Sequence, residues 1–196
     1  MTQPKILLVD DEPIIRMDLR EMLEGEGYLV VAEAKNGEEA VAQAHRHKPD
    51  LIIMDVKMPV LNGIKATNII RSFSDCSILL LTAYSQRELV RDARKAGVTA
   101  YLVKPVSEED LIPAVEIALS QKEKVAALKK DIHEIKQKME DRKTIEKAKG
   151  LIMNHHALEE EVAYKWMQRI SMQRRMPLVK LAEDILSGNQ VYSPSV

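Results

Sequence analysis

The sequence predicts an α/β fold: a doubly wound five-stranded parallel sheet of the flavodoxin type, then a long coiled-coil helix and a small three-helix bundle. Three observations carry this reading. Short apolar runs at residues 6–9, 28–32, 51–54, 78–81 and 100–103 are continuous rather than alternating, as expected of strands covered on both faces. Longer stretches between them, 13–24, 37–47, 64–73 and 86–96, carry apolar residues at helical spacing. Beyond residue 107 the helical pattern continues with no further strand.

Each element has a local cause. In 13–24, Ile15, Leu19, Met22 and Leu23 share one stripe, so this helix can lie on a sheet. Asn36-Gly37, Asn62-Gly63 and Gly97 punctuate the joins. Strands alternating with helices build a parallel sheet whose ligand site lies outside the carboxyl ends of the strands. Ser107, followed by Glu108, Glu109 and Asp110, starts a new helix with a hydroxyl cap and acids in its first turn. Pro113 lies early enough in that helix to leave its interior straight.

Within this helix Val125, Leu128, Ile132, Ile135 and Met139 follow at spacings of 3, 4, 3 and 4, with charged residues between them. That is an a/d seam of about two and a half heptads, read here as a dimer seam because the sheet is already complete. The alternative is a stripe packed within its own chain. No turn signal interrupts residues 122–149, so one helix runs into the last module. Asn154-His155-His156 and Met176-Pro177 then separate helices at 159–175 and 177–186. The domains expected are 1–120, a linker helix over 121–141, a helical module over 142–187 and a flexible tail over 188–196.

Composition excludes several classes. The 196 residues are 45% apolar and 30% charged, which argues against disorder. No apolar run approaches the roughly 20 residues of a membrane span, and the N-terminus lacks the pattern of a signal peptide. Cys76 is the sole cysteine, so no internal disulfide forms. A cytoplasmic protein is expected, with no membrane partner. The net charge of −1 hides an asymmetry. Residues 1–120 carry 14 Lys and Arg against 19 Asp and Glu, whereas residues 121–196 carry 15 against 11. A basic second half suits a polyanion, although cations on a solvated helix give the same count.

The chemistry gathers at the predicted strand ends. Asp10, Asp11 and Glu12 follow the first strand, Asp55 ends the third, Thr82 the fourth and Lys104 the fifth. Clustered carboxylates repel one another unless a hard cation lies among them, and Mg²⁺ prefers carboxylate and water oxygens. One carboxylate can then act as nucleophile toward a phosphoryl group, with the ammonium and a hydroxyl steadying the transferred oxygens.

The motifs Ile6-Leu7-Leu8-Val9-Asp10-Asp11-Glu12, Asp50-Leu51-Ile52-Ile53-Met54-Asp55-Val56-Lys57-Met58-Pro59, Leu81-Thr82-Ala83 and Tyr101-Leu102-Val103-Lys104-Pro105 resemble the receiver domain of two-component response regulators. The resemblance covers about residues 3–120. It implies that Asp55 accepts a phosphoryl group from a sensor histidine kinase. It further implies that Asp11, Asp55 and the Lys57 backbone carbonyl ligate Mg²⁺, with Asp10 acting through water. Thr82 and Lys104 would hold the phosphoryl group, and Tyr101 would turn inward on activation. No enzymatic activity is expected beyond this phosphoacceptor chemistry.

The last module shows no catalytic constellation. His155 and His156 are adjacent and would point about 100° apart on a helix, which suits joint metal binding poorly. Trp166, Met167, Ile170, Met172, Leu151, Ile152, Leu178, Leu181 and Ile185 can fill a bundle core. Gly150 interrupts a helical pattern at a cost of about 1 kcal/mol relative to Ala, which close packing or a ligand's approach could explain. The run Arg142-Lys143-Thr144-Ile145-Glu146-Lys147-Ala148-Lys149-Gly150-Leu151-Ile152-Met153, with Ala163-Tyr164 and Arg169-Ile170-Ser171-Met172, resembles the ANTAR domain, the RNA-binding output module of antitermination regulators. The resemblance spans about residues 125–187 and implies binding of paired RNA hairpins through their loop nucleotides. Lys147, Lys149, Arg169 and Arg175 are the candidate contacts, and a homodimer on phosphorylation is expected. Two other readings compete: a DNA-binding helix-turn-helix at 159–171 and 177–186, weakened by a connection without glycine, and an output that binds only protein.

Overall fold

A computed structural model describes residues 3–83 and 97–188. The helix expected at 86–96 and the tail from 189 lie outside the described residues. The chain forms two compact units, Met1–Ala127 and Leu128–Val196.

The first unit contains a parallel sheet in the order β2-β1-β3-β4-β5. Its strands are β1 (Lys5–Val9), β2 (Leu29–Ala34), β3 (Leu51–Asp55), β4 (Ser77–Thr82) and β5 (Ala100–Val103). Helices α1 (Pro13–Gly25), α2 (Gly37–His47) and α3 (Gly63–Arg71) connect the first four. Alternate residues of the central strands enter two different cores. Leu7, Val9, Ile52, Met54, Ile78 and Leu80 pack with the buried side of α2 and α3. Ile6, Leu8, Ile53, Leu79 and Leu81 pack with Leu19 and Leu23 of α1 and with Leu111, Val115 and Ala118. Each fully buried aliphatic side chain contributes on the order of 2 kcal/mol.

Only the central strands are buried on both faces. The edge strands β2 and β5 are partly exposed. This explains why β2 runs two residues past the expected end at 32: an edge tolerates Glu33, whose carboxylate takes Arg16 and Arg20 of α1 at 2.9 and 2.8 Å.

Helix α4 (Glu108–His156) is continuous over 49 residues. Ser107 caps it: its Oγ accepts from the Asp110 backbone N–H and donates to the Asp110 carboxylate. In the first unit the helix is tied to the amino ends of two strands. Ser77 Oγ donates to the Ala118 carbonyl at 2.6 Å, and Lys122 pairs with Asp50. Further along, Val125, Leu128, Ile132, Ile135 and Met139 are all between 50% and 60% exposed.

In the second unit the end of α4 packs with α5 (Glu160–Gln173) and α6 (Leu178–Ser187) around Ala148, Ile152, Ala163, Trp166, Met167, Leu181, Ala182 and Ile185. The first join lies later than the expected Asn154-His155-His156, which remain helical. Ala157 takes φ 50° there, and the Leu158 N–H reaches the Met153 carbonyl at 3.2 Å. The second join repeats the motif, with Arg175 at φ 52° and the Met176 N–H on the Ser171 carbonyl at 3.1 Å. Both are Schellman ends in which the residue after the turn folds back onto the core. Glycine is usual at the left-handed position, so its absence at Ala157 hid the first turn from a sequence reading, whereas Met176-Pro177 marked the second.

Candidate phosphorylation site and output module

The strand ends of β1 and β3 meet where the strand order reverses, the place where a doubly wound sheet opens a crevice. Asp10 follows β1 and is fully buried; Asp11 beside it is exposed. Asp55 is the buried last residue of β3. Carboxylate oxygens of Asp10, Asp11 and Asp55 all lie within 4.8 Å of one another. Lys104, directly after β5, reaches across the rim. Its ammonium lies 2.6 Å from Asp10 Oδ2 and 3.4 Å from Asp55 Oδ1. Thr82 ends β4 and is buried, and its carbonyl accepts the Lys104 N–H at 2.8 Å.

Asp10 is held by several bonds within the protein. Its second oxygen accepts the Glu12 N–H at 3.0 Å, and its carbonyl accepts from Arg16 Nη1 at 2.7 Å. Asp55 is less well compensated. Burial pushes its carboxyl pKa up, Lys104 opposes this, and the Asp10 charge pushes it up again. For Lys104, burial lowers the pKa, but the bonds to Asp10 and Asp55 outweigh it and the net shift is upward, so the ammonium stays charged. The three acids with one lysine thus form an electron-rich pocket with room for a hard cation. Lys57 is exposed and lines, with Asp11, Val56, Met58, Pro59, Asn62 and Ile64, a cavity of about 430 Å³ beside the acids. Tyr101 on β5 points outward and is exposed.

Two asparagine-glycine pairs read as simple joins do more specific work. Asn36 and Asn62 cap α2 and α3, accepting the Glu39 and Lys65 N–H groups at 2.9 Å. Gly37 and Gly63 allow backbone contact: a Cβ would lie 2.4 Å from the Leu61 carbonyl oxygen and 2.2 Å from that of Asp55. Gly63 therefore supports the candidate phosphoacceptor from beneath. Periodicity gave no signal of this, because the close approach exists only in the assembled fold.

The family model for the response regulator receiver domain matches residues 6–116, which include this whole rim. The chain is a response regulator. A second family model, the ANTAR domain, matches residues 133–186, so the regulator carries receiver and ANTAR domains. Among curated relatives, the transcriptional regulatory protein PdtaR of Mycobacterium tuberculosis is 50% identical over 182 residues, covering 93% of this chain and 89% of that protein. The chemotaxis protein CheY of Bacillus subtilis is 37% identical over 117 residues, covering 59% of this chain and 98% of its own. A solved CheY-like receiver domain from Methanospirillum hungatei superposes with a TM-score of 0.60 at 28% identity, covering 63% of this chain and 98% of that one. No helix among the described residues is long and apolar enough to cross a membrane.

In the output module the four candidate cations differ. Lys147, Arg169 and Arg175 are exposed. Lys149 is buried, and its ammonium is held by Glu146 at 2.5 Å and Glu160 at 2.7 Å. Its pKa is raised by those two hydrogen bonds. Lys149 therefore ties the end of α4 to the start of α5 through two acids. The sequence concealed this because the acids that hold it lie three residues before and eleven after.

Proposed function

We propose that this response regulator is switched by phosphorylation of Asp55 and that its phosphorylated form controls transcription through RNA hairpins bound by the ANTAR domain. The reading rests first on the Lys104 ammonium bridging Asp10 and Asp55 at the carboxyl rim of the sheet.

The donor is a phosphohistidine of a sensor kinase. An Asp55 carboxylate oxygen attacks phosphorus, an O–P bond forms, and the P–N bond to the histidine breaks with its electron pair returning to the imidazole. Asp55 arrives as a poorly compensated carboxylate, which favours its use as nucleophile. Lys104 shifts its interaction from carboxylate to phosphoryl oxygen, and the Thr82 hydroxyl donates to a second. The acids suit Mg²⁺, held by Asp11, Asp55 and the Lys57 carbonyl with Asp10 in support; bound there it would supply positive charge to the transferring oxygens. Tyr101, exposed in this structure, is free to turn inward once Thr82 moves toward the phosphoryl group. The regulator performs no other chemistry.

The receiver is assigned to residues 1–120, the linker helix to 121–141 and the RNA-binding module to 142–187. The half-exposed seam from Val125 to Met139 supports a parallel dimer on phosphorylation. Two modules held together would bind two hairpins with an affinity raised by effective concentration. Lys147, Arg169 and Arg175 supply phosphate contacts. The name of the mycobacterial relative, a transcriptional regulatory protein, agrees with an output in transcription, and antitermination is the form that RNA hairpins imply.

The test is acid-labile labelling by a small phosphodonor in Mg²⁺, followed by gel shifts with two-hairpin RNA and with duplex DNA at two salt concentrations. Labelling of wild type but not Asp55→Asn, with RNA preferred over DNA, is expected. Preference for DNA would favour the helix-turn-helix reading, and binding to neither a protein partner.

A further inference from the structure

Gly150 has no structural cause in this fold. It lies inside α4 and is partly exposed. Its φ is outside the left-handed region, and a Cβ built on it meets no described atom within 4 Å. Neither backbone conformation nor packing asks for glycine, although glycine is the poorest helix former after proline. Gly37 and Gly63 show what a structural requirement looks like in this chain: an added Cβ would lie 2.4 and 2.2 Å from neighbouring backbone oxygens.

The helix around this bare backbone is cationic. From Arg142 to Asn154 it carries four basic residues and one acid, Glu146, which is bonded to Lys149. Lys143, Lys147 and Asn154 lie seven and three residues before Gly150 and four after it, on one stripe of the helix, and all three are exposed. Lys143 pairs with Glu140 at 2.7 Å; Lys147 makes no hydrogen bond or ion pair among the described residues. Before the glycine the helix surface bears a shallow depression of about 450 Å³ lined by Arg142, Lys143, Glu146 and Lys147 together with Met139, the last residue of the seam.

We propose that Gly150 is a close-approach point for RNA, where a ribose or an unstacked loop base lies directly on the helix backbone between the Lys143 and Lys147 ammonium groups and the Asn154 amide. The inference rests on the RNA-binding reading above. A side chain at 150 would hold the nucleotide off the helix. Lys147, about 4–5 Å along the axis, meets a flanking phosphate, and Asn154, about 6 Å the other way, offers both donor and acceptor to a base edge. A second copy of the chain fits this stripe less well, since it would set Lys143 and Lys147 against cations of its partner.

The test exploits opposite signs. The phosphorylated full chain is used with a pool of two-hairpin RNAs of randomised loop sequence, enriched on the wild type. Gly150→Ala should raise the thermal midpoint of the output module by a few degrees, since alanine favours helix. RNA affinity should fall about tenfold, the scale of one lost close contact, and Gly150→Leu should fall further. Sedimentation should match wild type throughout. Unchanged affinity in both variants overturns the proposal, as does a lower midpoint in Gly150→Ala, which would make the glycine structural. Loss of affinity together with loss of the dimer assigns the stripe to a second copy instead. If no RNA is enriched on the wild type, the RNA-binding reading fails and takes this inference with it, an outcome distinct from variants that bind as well as wild type.

Discussion

Gly63→Ala tests whether the candidate phosphoacceptor is positioned by a backbone contact. The added Cβ would lie 2.2 Å from the Asp55 carbonyl oxygen, 3.1 Å from its carbonyl carbon and 3.2 Å from Val56 Cα. A carbon and a carbonyl oxygen settle at about 3.3–3.6 Å, so the two segments must part by roughly 1 Å. Neither can give way by rotating a side chain, because both are main chain and the Gly63 N–H is bonded to the Val56 carbonyl at 3.0 Å. Overpacking of this kind costs about 1–3 kcal/mol, with the upper end fitting an all-backbone clash. Alanine returns about 0.5–1 kcal/mol through its helix preference. The expected net loss is about 2 kcal/mol, or roughly 8 °C in the receiver's melting transition. A 1 Å displacement of Asp55 should also slow labelling by a small phosphodonor by up to about a hundredfold. Gly25→Ala is the matched control, since its Cβ would meet no described atom within 4 Å. It should leave both readouts unchanged or raise stability slightly. The reasoning is refuted if Gly63→Ala melts within a degree of wild type and is labelled at the same rate.

Asp55→Asn carries a pH signature besides loss of labelling. Burial raises the Asp55 pKa in the folded protein, so the folded state holds that proton more tightly than the unfolded chain does. Stability from this group is therefore lost as pH rises from the ordinary carboxylate range through the raised value. In a chelator the variant should melt above wild type at pH 7, with the gap closing in acid; a variant less stable than wild type at pH 7 contradicts this. Asp11→Ala should weaken Mg²⁺ binding in a metal titration, and equal affinity would remove Asp11 from the ligand set. Leu128→Glu with Ile132→Glu should give monomers on sedimentation and weaker binding to two-hairpin RNA. Each receiver should keep its stability, because both positions are more than half exposed in the single chain. A variant that sediments and binds as wild type does would make the seam a mere surface stripe.

What the sequence determined by itself was the set of elements among the described residues and the composition of the rim. Continuous apolar runs mark the strands of a parallel sheet, whose central members bury both faces, and each run gives way to a polar residue because the chain leaves the core there. Asp10, Asp55, Thr82 and Lys104 were legible for that reason: their place on the rim depends on where a strand stops, which is a local property. Ser107 was legible too, since a helix cap is read from its own neighbours. Contacts between distant segments were decided only by the tertiary structure. Nothing in the sequence around Lys149 pointed to its partner Glu160, which the bundle brings to it. Gly63 read as a turn until α3 settled against the end of β3. The bundle's first join was placed too early because Ala157 holds a left-handed conformation without glycine, with Leu158 then packing on the core. A strained torsion of this kind persists only where tertiary packing compensates it, so its cause lies in residues far along the chain rather than in the turn itself.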